Sequence, residues 1–269
     1  MKVRIIAALV LLLPLLCVLF WAPVWVAAVV AGLACAVASY ELLYRTGLLK
    51  HIRLNIYSAL MAFGVSMWSY FGWSYGVILL AVLVFYMQIF GEMMIAHLQL
   101  QAKDAFFCFL SGIVVPFMLT SLVRILCMEK GRVLICIPFI LAFMSDVGAY
   151  FIGIFFGKHK LCPLISPKKS VEGLIGGVVI GTLSLVIYGF IASHWFSTEV
   201  RFVPLIILGI IGCLASAFGD LCMSVIKRQT GIKDYGNLIP GHGGVLDRLD
   251  SVIVAAPLTE ALLLLLPMV

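Results

Sequence analysis

The chain has 269 residues, of which 64% are hydrophobic and only 11% are Asp, Glu, Lys or Arg, with a mean hydropathy of +1.20. Soluble domains carry roughly 45–50% apolar residues, so a water-soluble fold is excluded and an integral membrane protein is indicated. The formal charge of +6 means little as a sum, because in a membrane protein the placement of the cations matters more; no nucleic-acid partner is expected.

A transmembrane helix needs about 20 mostly apolar residues, and helices satisfy their own backbone in the bilayer. Apolar runs near 5–20, 24–43, 54–71, 74–96, 105–123, 133–156, 172–193, 202–223 and 251–268 predict an all-α, polytopic protein with about nine transmembrane helices. It reads as a single membrane domain over 1–269: N-terminal spans to 128, then spans and loops from 133 that carry the chemistry. Met1-Lys2-Val3-Arg4 resembles the start of a signal peptide, but no small-x-small cleavage site follows. Trp21-Ala22-Pro23 reads instead as a turn into the second span.

With the N-terminus inside, 14 of the 18 cations face the cytoplasm and only Arg124, Lys130, Arg132 and Arg201 face out. This is a positive-inside distribution. It places the two richest polar loops, 157–171 and 224–250, on the cytoplasmic side where nucleotides are found. Active-site lysines inflate that count; without those loops the split is six to four. The expected localisation is the cytoplasmic membrane, multi-pass.

The N-terminal spans are poor in chemistry. Glu41 sits four residues before Arg45, the spacing of a helix salt bridge. Glu92 and Glu260 lie inside spans, where an ionisable group is either paired or functional, and the sequence leaves both open. The eight cysteines are scattered without a CxxC pair and read as small buried hydrophobes.

Three clusters in the C-terminal half carry chemistry. Within the sixth span, Ser145-Asp146-Val147-Gly148-Ala149-Tyr150 places Asp146 and Tyr150 one turn apart on a shared face. Gly153 and Gly157 follow at the spacing of close helix packing. An Asp at a membrane helix centre costs about 2.5–3.5 kcal/mol, so a cation, a metal or water must offset it. Next comes Leu164-Ile165-Ser166-Pro167-Lys168-Lys169-Ser170-Val171-Glu172-Gly173. Its lysines, hydroxyls and helix start suit a phosphate clamp, or equally a pair of headgroup-level anchors.

The third cluster is the densest: Ser224 to Asp250 holds Lys227, Arg228, Lys233, Asp234, Asp247, Arg248 and Asp250. On a continuous helix Ser216, Asp220, Ser224 and Lys227 or Arg228 form one stripe. Pro240-Gly241-His242-Gly243-Gly244 then breaks the helix with a run suited to presenting backbone N–H groups to a phosphate. Asp247 and Asp250 follow at i, i+3. Asp220 and Asp247 come from different segments and are expected to converge on one hard cation, since Mg²⁺ takes one or two carboxylates plus substrate phosphates. Lysines, carboxylates and a Gly-rich turn are the constituents of phosphoryl or nucleotidyl transfer, where positioning and charge neutralisation dominate. His242 suits ligand contact or loop shaping, because an attacking phosphate monoester needs no base.

At these residues the chain resembles the phosphatidate cytidylyltransferases (CDP-diacylglycerol synthases). Their signature, S-x-x-K-R-x4-K-D-x-G-x2-[LIF]-[PG]-x-H-G-G followed by D-R-x-D, is met by Ser224, Lys227, Arg228, Lys233, Asp234, Gly236, Ile239, Pro240, His242, Gly243, Gly244, Asp247, Arg248 and Asp250. The resemblance covers about residues 133–251. It implies that phosphatidate and CTP give CDP-diacylglycerol and pyrophosphate with Mg²⁺, in a multi-span homodimer with a second cation such as K⁺. Carried over, Asp220, Asp247 and Asp250 are the metal carboxylates. Lys227 and Arg248 are catalytic, and Arg228, Lys233, Lys168, Lys169 and Ser170 serve the phosphates. Ser224, Asp234, His242, Gly243 and Gly244 line the substrate, and Asp146 assists metal or cytosine binding.

Two other readings compete. One is a related CTP-using enzyme acting on a prenol or archaeal ether lipid. The other is a transporter with Asp146, Asp220, Glu92 and Glu260 along an ion path, which leaves the Lys/Arg/Gly loop without a role.

Overall fold

The structure, a computed structural model, describes residues 14, 16–96, 100–196, 199–238 and 243–266. In chain order its elements are α1 (Val24–Tyr40), α2 (Ile52–Phe71), α3 (Tyr75–Ile95), α4 (Ala102–Phe109), α5 (Val115–Leu119), α6 (Ser121–Leu126), α7 (Gly131–Leu134) and α8 (Cys136–Phe156). Strands β1 (Lys160–Cys162) and β2 (Ser166–Ser170) follow, then α9 (Val171–Trp195), α10 (Phe202–Gln229), α11 (Leu246–Leu249) and α12 (Val252–Leu265). Two π-helical turns, Glu41–Arg45 and Leu110–Val114, continue α1 and α4.

Among the described residues six helical runs are long and apolar enough to cross a membrane, against the nine expected: Val24–Arg45, Tyr75–Ile95, Ala102–Leu126, Gly131–Phe156, Val171–Trp195 and Phe202–Gln229. The difference has three sources. The run 5–20 falls largely outside the described residues. The run 54–71 does form a 20-residue helix, α2, but Arg53, Asn55, Ser58, Ser66 and Ser69 lower its hydropathy. The last run forms only the 14-residue α12, about 21 Å at 1.5 Å per residue, short of the ~30 Å hydrocarbon core. The all-α reading otherwise holds, and the chain is a multi-pass membrane protein.

The chain packs as two compact units: residues 1–127 with 229–249, and residues 128–228 with 250–269. In the first, α1 lies along α2, where the buried Ser66 hydroxyl donates to the Ala28 carbonyl at 2.8 Å. Gly72 ends α2 in the left-handed region (φ 59°), where only glycine is unstrained. A capping box starts α4, with the Gln101 N–H donated to Asp104 at 2.8 Å. Leu43, Leu54, Val65, Phe85, Ile89 and Cys108 form the core. Glu92, left open by the sequence, is buried against Arg53 Nη1 and Tyr57 Oη, both at 3.4 Å, with His51 Nε2 at 3.9 Å. It ties α3 to α2.

In the second unit α8 and α9 run in backbone contact. A Cβ at Gly177 would lie 2.7 Å from the Ser145 carbonyl oxygen, and one at Gly173 would lie 2.8 Å from that of Ala149. This is small-residue packing of the kind expected between membrane helices. The segment between these helices corrects the purely helical expectation. It is an antiparallel hairpin pairing Lys160 with Ser170 and Cys162 with Ser166. Ser170 ends the hairpin and caps α9 by accepting the Gly173 N–H at 3.1 Å. Glu172 fastens the other side, accepting the N–H groups of Lys158 and His159 and contacting His159 Nδ1 at 2.6 Å.

Candidate active site

The second unit gathers charge at one end of its helices. The helix α10 runs unbroken for 28 residues, about 42 Å, well beyond the ~30 Å hydrocarbon core. Its C-terminal turns carry Asp220, Ser224, Lys227 and Arg228, so the stripe expected from the sequence forms. Lys227 and Arg228 also suit the negative end of the helix dipole. Asp220 forms an ion pair with Lys169 of β2. Lys227 Nζ stands 3.8 Å from Asp250 Oδ2. Gly219 makes this possible, since a Cβ there would sit 2.7 Å from the Asp250 carbonyl oxygen. Burial, and then the neighbouring Asp220 carboxylate, push the Asp250 carboxyl upward; Lys227 and the Ser251 N–H oppose the shift. On α8, Asp146 Oδ2 accepts from Ser251 Oγ at 3.4 Å, close enough to feel both Lys169 and Asp220.

The two adjacent lysines have different surroundings: Lys169 is half-buried against Asp220 and Lys168 stays exposed. Both border a cavity of about 510 Å³. Asp146 and Lys160 add charge to its lining, while Ile154, Leu174 and Val178 of the helices are apolar. The site therefore offers cations and carboxylates beside an apolar wall. Ser170 also borders it, but its hydroxyl oxygen is engaged as the α9 cap. Arg228, expected on a phosphate, donates from Nε to the Ile165 carbonyl at 3.0 Å and clips the hairpin to α10. Ser224 is buried in α10.

The remaining motif residues belong to the first unit. Asp247 is 7% exposed, and its Oδ2 accepts the N–H groups of Tyr235 at 2.8 Å and Gly244 at 2.9 Å. The Gly244 N–H, expected to face a phosphate, is thus taken by the protein's own carboxylate. Gly243 has φ 87°, and a Cβ on it would meet Asp247 Oδ2 at 2.8 Å. Lys233, Asp234 and Arg248 are exposed. His242 lies outside the described residues.

Sequence reasoning missed Glu41. It is 3% exposed and makes no ion pair with Arg45; its Oε1 accepts the Val245 N–H at 3.1 Å and its Oε2 the Leu246 N–H at 2.9 Å. Arg45 instead donates to the Asn237 side-chain oxygen. The only available signal was an acid buried near the end of an apolar span.

Oxygen-rich carboxylates are hard ligands suited to Mg²⁺. Among the described residues no three His, Cys, Asp or Glu side chains form a ready ligand set. The adjacent Asp220 and Asp250 still fit Mg²⁺, which is commonly held by one or two carboxylates with waters and substrate phosphates completing the shell.

Comparison with known proteins identifies the family. The Cytidylyltransferase family profile matches residues 2–266. The chain is 43% identical over 127 residues to a phosphatidate cytidylyltransferase of Haemophilus influenzae, covering 47% of this chain and 44% of that one. It is 41% identical over 142 residues to the one of Mycobacterium bovis (52% and 44%) and 38% identical over 163 residues to the one of Staphylococcus haemolyticus (60% of each). The chain thus spans about half the length of these relatives. With the profile matched over residues 2–266, the chain belongs to the cytidylyltransferase family.

Proposed function

We propose that the protein is a phosphatidate cytidylyltransferase, transferring CMP from CTP to phosphatidate with release of pyrophosphate. The observation that carries this reading is the cavity of the second unit, where Lys168, Lys169 and Asp146 adjoin apolar helix walls. A phosphorylated lipid has that same division, an anionic head on an apolar tail. Cytidylyl transfer is the family's chemistry, and the relatives named above carry this activity in their names.

In this reading an oxygen of the lipid phosphate bonds to the α-phosphorus of CTP as the bond to the β-phosphate oxygen breaks. The nucleophile is already an anion and no side chain removes a proton. Lys168 and Lys169 hold the lipid phosphate, and Lys227 offsets the negative charge of the Asp220–Asp250 pair. The resemblance alone assigns Lys233 and Arg248 to the triphosphate, and Gly243, Gly244 and His242 to the substrate. Asp220 and Asp250 would hold Mg²⁺, which when bound supplies charge neutralisation for the phosphates. Asp247 as a third ligand, a second cation such as K⁺, and a homodimer rest on the resemblance alone. The polar loops face the cytoplasm, as the cation distribution favours.

The test is transfer of label from CTP by the detergent-purified protein to phosphatidate, to a prenyl phosphate or to an archaeal ether lipid. Labelled CDP-diacylglycerol from phosphatidate is expected. Transfer only to another lipid reassigns the acceptor, and transfer to none overturns the reading.

A further inference from the structure

The motif loop carries its own chemistry, but its shape comes from the other end of the chain. Around Gly244–Leu246 three consecutive N–H groups turn inward. That of Gly244 goes to Asp247, and those of Val245 and Leu246 go to the two oxygens of Glu41. Glu41 opens the π-helical turn Glu41–Arg45, and Arg45 at the end of that turn holds Asn237 in the same loop. Such turns recur at functional sites because one extra residue per turn redirects side chains. Two motif glycines are explained by the same carboxylate: a Cβ at Gly236 or Gly244 would collide with the oxygens of Glu41. Glu41 therefore occupies space that the loop keeps free for it, and removing it leaves the Val245 and Leu246 N–H groups without their acceptor.

We propose that Glu41 is the positioning residue of the motif loop. It fixes the backbone ahead of Asp247 and Arg248, so that the exposed Arg248 meets the reacting phosphates in one register. This assignment rests on the cytidylyl-transfer reading for its catalytic consequence, but not for its structural one. It gives the N-terminal spans a part in the reaction beyond forming a wall.

The experiment compares wild type, Glu41→Gln and Glu41→Asp by hydrogen exchange, thermal unfolding and CTP kinetics. Glutamine keeps the length but replaces one acceptor with a donor; aspartate keeps the charge but retracts it. Expected for Glu41→Gln is faster exchange at residues 243–249, unchanged exchange in α2 and an unfolding temperature close to wild type. Its kcat should fall by about a hundredfold, as small misplacements can cost, while KM for CTP moves little. Glu41→Asp should restore part of both the protection and kcat. Unchanged exchange in 243–249 overturns the proposal whatever the activity, and so does global unfolding of both variants. If wild type transfers nothing from CTP, the functional reading fails while the exchange arm still decides the role of Glu41.

Discussion

Asp220 and Asp250 set two carboxylates side by side, with Lys169 on one and Lys227 near the other. A divalent cation would relieve that repulsion, so Mg²⁺ should raise the unfolding temperature of the wild type; at a hundredfold excess over Kd the stabilisation is about 2.7 kcal/mol. Asp220→Asn should lose this shift and at least about a hundredfold in turnover, roughly 2.7 kcal/mol of barrier. An undiminished Mg²⁺ shift in that variant would remove Asp220 from the metal site. Asp247 separates differently. Asp247→Asn retains an acceptor for the Tyr235 and Gly244 N–H groups, so it should fold normally yet lose turnover if its charge serves the reaction. Near-normal activity would leave Asp247 as a scaffold for the loop. The residues of the motif were legible in the sequence because their types and spacing announce phosphate chemistry. The partner of Glu41 was not legible. Arg45 at i+4 offered a local answer, whereas the real partners are backbone groups some 200 positions away, which carry no side-chain signal.

At the scale of elements, periodicity and length found the helices but not the hairpin. Pro163 and Pro167 and the paired lysines disguise β1 and β2 as a loop, and the hairpin is what brings Lys169 to Asp220 while Lys168 stays exposed. The α8–α9 contact depends on glycine at specific turns. Gly177→Leu should destabilise by about 1–3 kcal/mol, the usual cost of overpacking, read as a lower unfolding temperature. Gly64 in α2 is the control. Nothing lies within 4 Å of a Cβ there, so Gly64→Ala should be neutral or gain up to about 1 kcal/mol from helix propensity. Equal effects of the two substitutions would contradict the packing account.

For the whole molecule, composition alone indicated the membrane class, and one motif pointed to the proposed chemistry. The return of residues 229–249 to the N-terminal unit is a tertiary fact with no trace in hydropathy, because the loop is polar and flanked by unrelated helices. The membrane orientation is testable directly. Lys158, exposed before the hairpin, replaced as Lys158→Cys in a cysteine-free background, should react with an impermeant thiol reagent in inside-out vesicles and not in intact cells. The reverse pattern would invert the topology. The most direct test of the central claim is Mg²⁺-dependent formation of labelled CDP-diacylglycerol from CTP and phosphatidate by the purified protein. The account predicts product with equimolar pyrophosphate, abolished by chelation and by Asp220→Asn. Pyrophosphate release without CDP-diacylglycerol, or product undiminished in Asp220→Asn, would contradict it.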